Sequence, residues 1–329
     1  MLNRLIMAIL LSLFPFLSVS NSVKITPYIV NGTATTNSSY PFMARIISTK
    51  LYQSEGKLIF ICGATIIGNR HLLTAAHCVD NADEYRHLVI GVGGSSDSDY
   101  FSLQRTAVEY VYYPDSYDGR IENGLNDDIA VLKVRKPLPN VNTTLSVLAT
   151  KSDEIVYRDL NSVSTNAPLY TMLGYGNTHS GQNSNDNLQH VEVKYVPHQE
   201  CKSYWITLNS QQICTVGEFN QNNQLKGGGC QGDSGGPLLW KNPNTLALKQ
   251  IGVLSYLSNL CGDPDVIAQS IFTEVSDYRN WITQVINGKV QPKPQQVTTR
   301  QSASGGMSAF WLLLLINLLS LKVIKRLSD

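Results

Sequence analysis

The sequence predicts an all-β domain, and three observations carry that expectation. Short β-branched and aromatic runs recur along the chain, among them Arg45-Ile46-Ile47, Leu58-Ile59-Phe60-Ile61, Leu88-Val89-Ile90-Gly91-Val92 and Val191-Glu192-Val193-Lys194-Tyr195-Val196. Gly, Asn, Asp and Pro punctuate them closely, the pattern of antiparallel barrels or sandwiches. One convincing helical stretch, Val275 to Ile286, comes late. With both ends set aside, about 260 of the 329 residues remain, a length that suits one two-barrel unit.

The N-terminal element is a leader. Arg4 precedes an apolar run from Leu5 to Leu17, and Ser18-Val19-Ser20 closes it. A basic start, a short apolar stretch and a small-x-small end describe a secretory signal peptide over residues 1–20. Six cysteines fit the oxidising compartment that such a leader implies, and spacing alone leaves fifteen pairings open. Asn31-Gly32-Thr33, Asn37-Ser38-Ser39 and Asn142-Thr143-Thr144 match the N-glycosylation pattern.

The C-terminal element is a tail. Residues 288–306 read as a linker, with Pro292, Pro294 and a Ser/Gly-rich end. Within residues 307–329 lies an apolar run from Ala309 to Leu321, shorter than the ~20 residues a spanning helix prefers. Lys322, Lys325 and Arg326 suit a cytoplasmic flank, while Ser302-Ala303-Ser304-Gly305 fits a GPI-attachment signal. Either route takes the protein through the secretory pathway to an extracellular or cell-surface place, held at a membrane by its tail.

Net charge is +1 and charged residues make up 16%, so nothing points to nucleic acid. No Walker loop, HExxH or CxxC occurs, so neither a nucleotide, a metal nor another cofactor is expected.

The chemistry concentrates in Gly229-Cys230-Gln231-Gly232-Asp233-Ser234-Gly235-Gly236-Pro237. Glycines let backbone N–H groups converge beside the Ser hydroxyl, as an oxyanion site requires. Two motifs upstream supply what that hydroxyl lacks: Leu73-Thr74-Ala75-Ala76-His77-Cys78 and Asn126-Asp127-Asp128-Ile129-Ala130-Val131-Leu132. A serine is a weak nucleophile at neutral pH and needs an imidazole to take its proton. A carboxylate then fixes the imidazole tautomer and stabilises the imidazolium.

In this order the motifs resemble those of the chymotrypsin/trypsin family of serine endopeptidases. The resemblance runs from Ile29 to about Asn287. It includes Ile29-Val30-Asn31-Gly32, Cys62-Gly63-Ala64-Thr65-Ile66-Ile67, Gly174-Tyr175-Gly176, Gly252-Val253-Leu254-Ser255-Tyr256, and Thr273 with Tyr278-Arg279-Asn280-Trp281-Ile282. It implies two six-stranded antiparallel β-barrels and a C-terminal helix over residues 29–287, with the site in the cleft between the barrels. The implied disulfides are Cys62–Cys78, Cys201–Cys214 and Cys230–Cys261. Ser234 is the implied nucleophile, His77 the general base and Asp128 its orienting carboxylate, with Asp127 a solvated neighbour. The N–H groups of Gly232 and Ser234 form the implied oxyanion hole.

Two further roles follow from the resemblance. Asp233 pairs with the α-amino group of Ile29, which makes residues 21–28 a pro-segment and calls for an activating protease. The residue before the cut is Tyr28, where trypsin-type zymogens carry Arg or Lys. The substrate pocket takes in Gly228, Ser255, Tyr256, Leu257 and Ser270. Gly228 stands where trypsin-like enzymes hold an Asp, and Leu257 narrows one wall. The implied preference is elastase-like, for small or medium apolar side chains, with a chymotrypsin-like preference as the alternative. Protein or peptide substrates and protein protease inhibitors are the implied partners. A catalytically inactive, protease-like binding or decoy protein is the competing class, and a tethered adhesion protein is a third.

Overall fold

The computed structural model describes residues 29–50, 59–94, 103–138, 147–159, 170–176, 187–267 and 270–294. The expected leader, pro-segment and apolar tail, and the sequon at Asn142, lie outside the described residues. Among the described residues no helix is long and apolar enough to cross a membrane.

After a short β1 (Thr33–Ala34), the chain forms β2 (Met43–Ser48), β3 (Ile59–Gly68), β4 (His71–Thr74), β5 (Leu88–Val92), β6 (Gln104–Tyr112) and β7 (Ala130–Val134). These six close into an antiparallel barrel in the order β2-β3-β4-β7-β6-β5, with β2 pairing both β3 and β5. Helix α1 (Lys151–Asp159) then leads to β8 (Tyr170–Gly174) and β9 (Gln189–Val196). Helix α2 (His198–Tyr204), β10 (Gln212–Gly217), β11 (Phe219–Asn220), β12 (Leu225–Lys226), β13 (Pro237–Lys241), β14 (Leu248–Leu257), β15 (Ser270–Glu274) and helix α3 (Val275–Ile286) complete the domain. Strands β8-β9-β10-β15-β14-β13 form the second six-stranded barrel, closed by the β13–β8 pairing, and β1 adds to the edge of β9. The two barrels and the late helix are the expected architecture.

The period-2 alternation of side chains explains how one strand serves two cores. In β7, Ala130, Leu132 and Val134 fill the first barrel, while Val131 points the other way. Val131 joins Leu73 of β4, Val253 of β14 and the apolar stripe of α3. That stripe is Val275, Tyr278, Ile282 and Val285, spaced so that one helical face is apolar, and all four are buried. Helix α3 therefore cements the two barrels. Truncating Ile282 to Ala would cost about 2–5 kcal/mol, the usual range for a buried Ile.

The three disulfides are Cys62–Cys78, Cys201–Cys214 and Cys230–Cys261, as the resemblance implies. The first ties the turn after β4 to β3, and the last holds the segment before Ser234 against the loop after β14.

Candidate active site

Strand β4 runs into a single 3-10 turn, Ala76–Cys78, that presents His77. Asp128 is presented just before β7 by a tight turn in which Asp127 takes a left-handed conformation (φ 57°) and the Ile129 N–H donates to its carbonyl at 2.8 Å. Aspartate tolerates that conformation better than most residues. Asp127 differs from the solvated neighbour expected of it. Its Oδ1 accepts the Tyr278 hydroxyl at 2.5 Å, which ties the turn to α3.

Asp128 is wholly buried, and three donors converge on its carboxylate. His77 N–H donates to Oδ1 at 2.9 Å, His77 Nδ1 lies 2.7 Å from Oδ2, and Ser255 Oγ donates to Oδ2 at 2.5 Å. A carboxylate only accepts, so Nδ1 carries the proton and Nε2 is left as the basic nitrogen. Burial works against the imidazolium, but the Asp128 charge and hydrogen bond, helped by Asp80, hold His77 above the ordinary imidazole value.

Ser234 lies with His77 on one cavity of about 380 Å³. Among the described residues its hydroxyl makes no hydrogen bond, to His77 or to any other group. Its own carbonyl accepts the Gly63 N–H at 2.8 Å, which fixes the turn to the first barrel. Gly235 is required there: at φ 75°, an added Cβ would lie 2.2 Å from Thr74 Oγ1 and 2.5 Å from the Gly63 carbonyl. Gly232 is also left-handed (φ 97°), and neither its N–H nor that of Ser234 donates to a partner among the described residues. Uncommitted backbone N–H groups are what an oxyanion site requires.

Asp233 points inward and is wholly buried. Gly176 N–H donates to Oδ1 at 2.7 Å and Cys230 N–H to Oδ2 at 2.9 Å. Burial outweighs these bonds and pushes the carboxyl up to about 7. The Gly174-Tyr175-Gly176 motif finds its reason here. A Cβ on Gly174 would lie 1.9 Å from Asp233 Oδ1, and one on Gly176 would lie 2.6 Å from its carboxyl carbon. Ile29 is wholly buried, and Val30 bridges to Gly228, whose N–H donates to the Val30 carbonyl at 3.2 Å.

Of the expected pocket residues, Leu257 and Ser270 are brought together beside Gly228. Leu257 pairs across the sheet with Ser270, and Ser270 Oγ accepts the Gly229 N–H at 3.0 Å beside Gly228. Tyr256 stacks edge-on against Trp205 at 5.2 Å. Ser255 does not offer its side chain to the pocket: its hydroxyl is spent on Asp128 and only 2% of the residue is exposed. The cross-barrel contact could not be read from a sequence separation of 127 residues. The two sulfurs near His77 belong to the Cys62–Cys78 disulfide, which leaves no thiolate to ligate a metal.

A family model described as Trypsin matches residues 29–282. The chain is 31% identical over 266 residues to chymotrypsin-like elastase family member 1 of Bos taurus, a match covering 78% of this chain and 89% of that one. It is 30% identical over 262 residues to the protein of the same name from Canis lupus familiaris (78% and 92% covered). To the chymotrypsin of Phaedon cochleariae it is 25% identical over 256 residues (77% and 80% covered).

Proposed function

Because the chain belongs to the trypsin family of serine endopeptidases, we propose that it hydrolyses peptide bonds through Ser234, His77 and Asp128, and that it is made as a secreted, membrane-tethered zymogen. The observation that carries the reading is the buried Asp128 carboxylate 2.7 Å from His77 Nδ1, with His77 and Ser234 on one cavity. Ser234 Oγ attacks the scissile carbonyl as His77 Nε2 takes its proton. The oxyanion settles between the N–H groups of Gly232 and Ser234. His77 then protonates the leaving amine, and the imidazolium formed on the way is stabilised by Asp128. Water enters and reverses the sequence to release the acid.

Activation rests on Asp233. Among the described residues no cation pairs with this buried carboxylate, and burying an unpaired charge is costly. A free amine at Ile29, released by cleavage after Tyr28, supplies the counter-charge and orders the Gly232–Ser234 segment. The burial of Ile29 and the Val30–Gly228 bridge support that placement. Specificity is elastase-like in this reading. Gly228 brings no charge for Lys or Arg, Leu257 narrows the wall, and Ser270 Oγ accepts from the Gly229 N–H. Two of the relatives above carry elastase in their names. The chain leaves the cell through its leader and stays at the surface by its tail, as a GPI-anchored or a spanning protein.

The test is turnover of apolar peptides by the secreted protein processed to Ile29, beside Ser234→Ala. Loss of roughly 10⁶-fold in rate with fold and secretion intact is expected. Near-normal activity in the variant contradicts the mechanism, and inactivity of both proteins favours the binding or decoy class. Phospholipase C treatment of cells separates the two anchors: release means GPI, and retention means a spanning helix.

A further inference from the structure

The cavity that holds His77 and Ser234 carries more information than the triad uses. His77 Nε2, the nitrogen that protonates the leaving amine in the reading above, lies 3.7 Å from Cys78 Sγ and so faces the Cys62–Cys78 side of the cleft. The residues assigned to the side chain before the cut, Gly228, Leu257 and Ser270, are not among those lining this cavity. The two parts of a substrate diverge at Ser234, so the cavity takes the chain that follows the scissile bond.

Its lining has two characters. The floor is apolar, built from the disulfide with Val79, Leu88 and the half-buried Ile61. The rim carries Asp80 and Glu84. Tyr117 OH donates to Asp80 Oδ2 at 3.0 Å and holds that carboxylate in place, and no Lys or Arg pairs with Asp80 among the described residues. Glu84 pairs with the exposed Lys50 at 2.8 Å, a surface contact of small strength. An apolar floor ending in carboxylates matches Lys and Arg, whose aliphatic stems lie on apolar surface while the charged head reaches outward.

We infer that this cavity receives the residues on the leaving-group side of the cut and that Asp80, seconded by Glu84, selects a basic side chain there. The inference rests on the endopeptidase reading above. It gives the enzyme a composite preference, apolar before the bond and basic after it.

The experiment uses the secreted protein processed to Ile29 and peptides identical up to an apolar residue before the bond. The two positions after the bond carry Lys, Ala or Glu. The expected order of kcat/KM is Lys above Ala above Glu, with Lys over Glu about tenfold at low salt, and the ratio shrinks as salt rises. Asp80→Asn keeps an acceptor for Tyr117 and should bring the ratio most of the way to one. Glu84→Gln, whose carboxylate is already paired with Lys50, should remove a smaller part. Equal rates for Lys and Glu peptides, or a ratio unmoved by salt and by both substitutions, would overturn the inference and leave the endopeptidase standing. Failure to cleave any peptide, with Ser234 inert to active-site reagents, would overturn both.

Discussion

Ser255 Oγ donates to Asp128 Oδ2 at 2.5 Å, so a hydroxyl of the second barrel holds the carboxylate presented by the first. The same barrel also fixes the Asp128 backbone, through Thr273 Oγ1 to the Asp128 carbonyl at 2.8 Å. The carboxylate that orients His77 is therefore a joint product of both barrels. Replacing Ser255 by Ala leaves a buried carboxylate one donor short, which costs about 1–3 kcal/mol. Ser255→Ala should lower kcat by about tenfold or more while KM for apolar peptides changes little, because the hydroxyl does not face substrate. A pure KM effect in steady-state kinetics would return Ser255 to the pocket lining.

His77 should set the acid limb of the pH–rate profile. The base acts neutral, and Asp128 holds its pKa above the ordinary imidazole value. kcat/KM should therefore rise with a midpoint above about 6.5. The stability contribution has the opposite sense. A raised folded-state pKa favours the fold below about 6.5, and that gain is lost as pH rises through the folded value. Asp128→Asn should move the midpoint down and cut kcat by about 10⁴-fold. A flat profile between pH 5 and 8 contradicts the role of His77.

Asp233 makes processing pH-sensitive. Its carboxyl is pushed up to about 7 when no cation faces it. The unprocessed chain therefore buries it without penalty only while it is protonated. As pH rises from about 4 to 7 the cost grows towards roughly 4 kcal/mol. A free Ile29 amine should remove that cost. The gap in Tm between processed and unprocessed protein should widen from pH 5 to pH 8, and Asp233→Asn should abolish the widening. A gap independent of pH would refute the ion pair.

Two sequons should be empty. Asn31 Nδ2 donates to the Leu225 carbonyl at 2.9 Å, and its Oδ1 accepts from Asn223 at 2.7 Å. Asn37 is buried, donates to the Met43 carbonyl at 3.1 Å and accepts the Tyr175 hydroxyl at 2.7 Å. Neither amide can carry a sugar in this fold. Glycopeptide mass spectrometry of the processed, folded protein should find both unmodified, and Asn37→Gln should lower stability by about 1–2 kcal/mol. A glycan at Asn37 in active protein would contradict the packing.

Much of this was legible in the sequence because the chemistry sits in contiguous strings. The run around Ser234, the His77 turn and the Asp128 turn each announce themselves locally, and short β-branched runs announce the barrels. Partners distant along the chain were not legible. Asp127 reads as a surface residue until α3 brings Tyr278 against it. Ser255 reads as pocket lining until β14 packs beside β4 and turns its hydroxyl to Asp128. Asn37 matches a modification pattern three residues long, and only folding shows its amide spent on Met43.

In the proposed mechanism Ser234 is an activated nucleophile with a formed oxyanion site. Fluorophosphonate labelling of the protein processed to Ile29, followed by peptide mapping, tests it most directly. One phosphonylated residue is expected, Ser234, with labelling lost in Ser234→Ala and strongly slowed in His77→Ala. An unlabelled Ser234 in correctly folded, processed protein would contradict it.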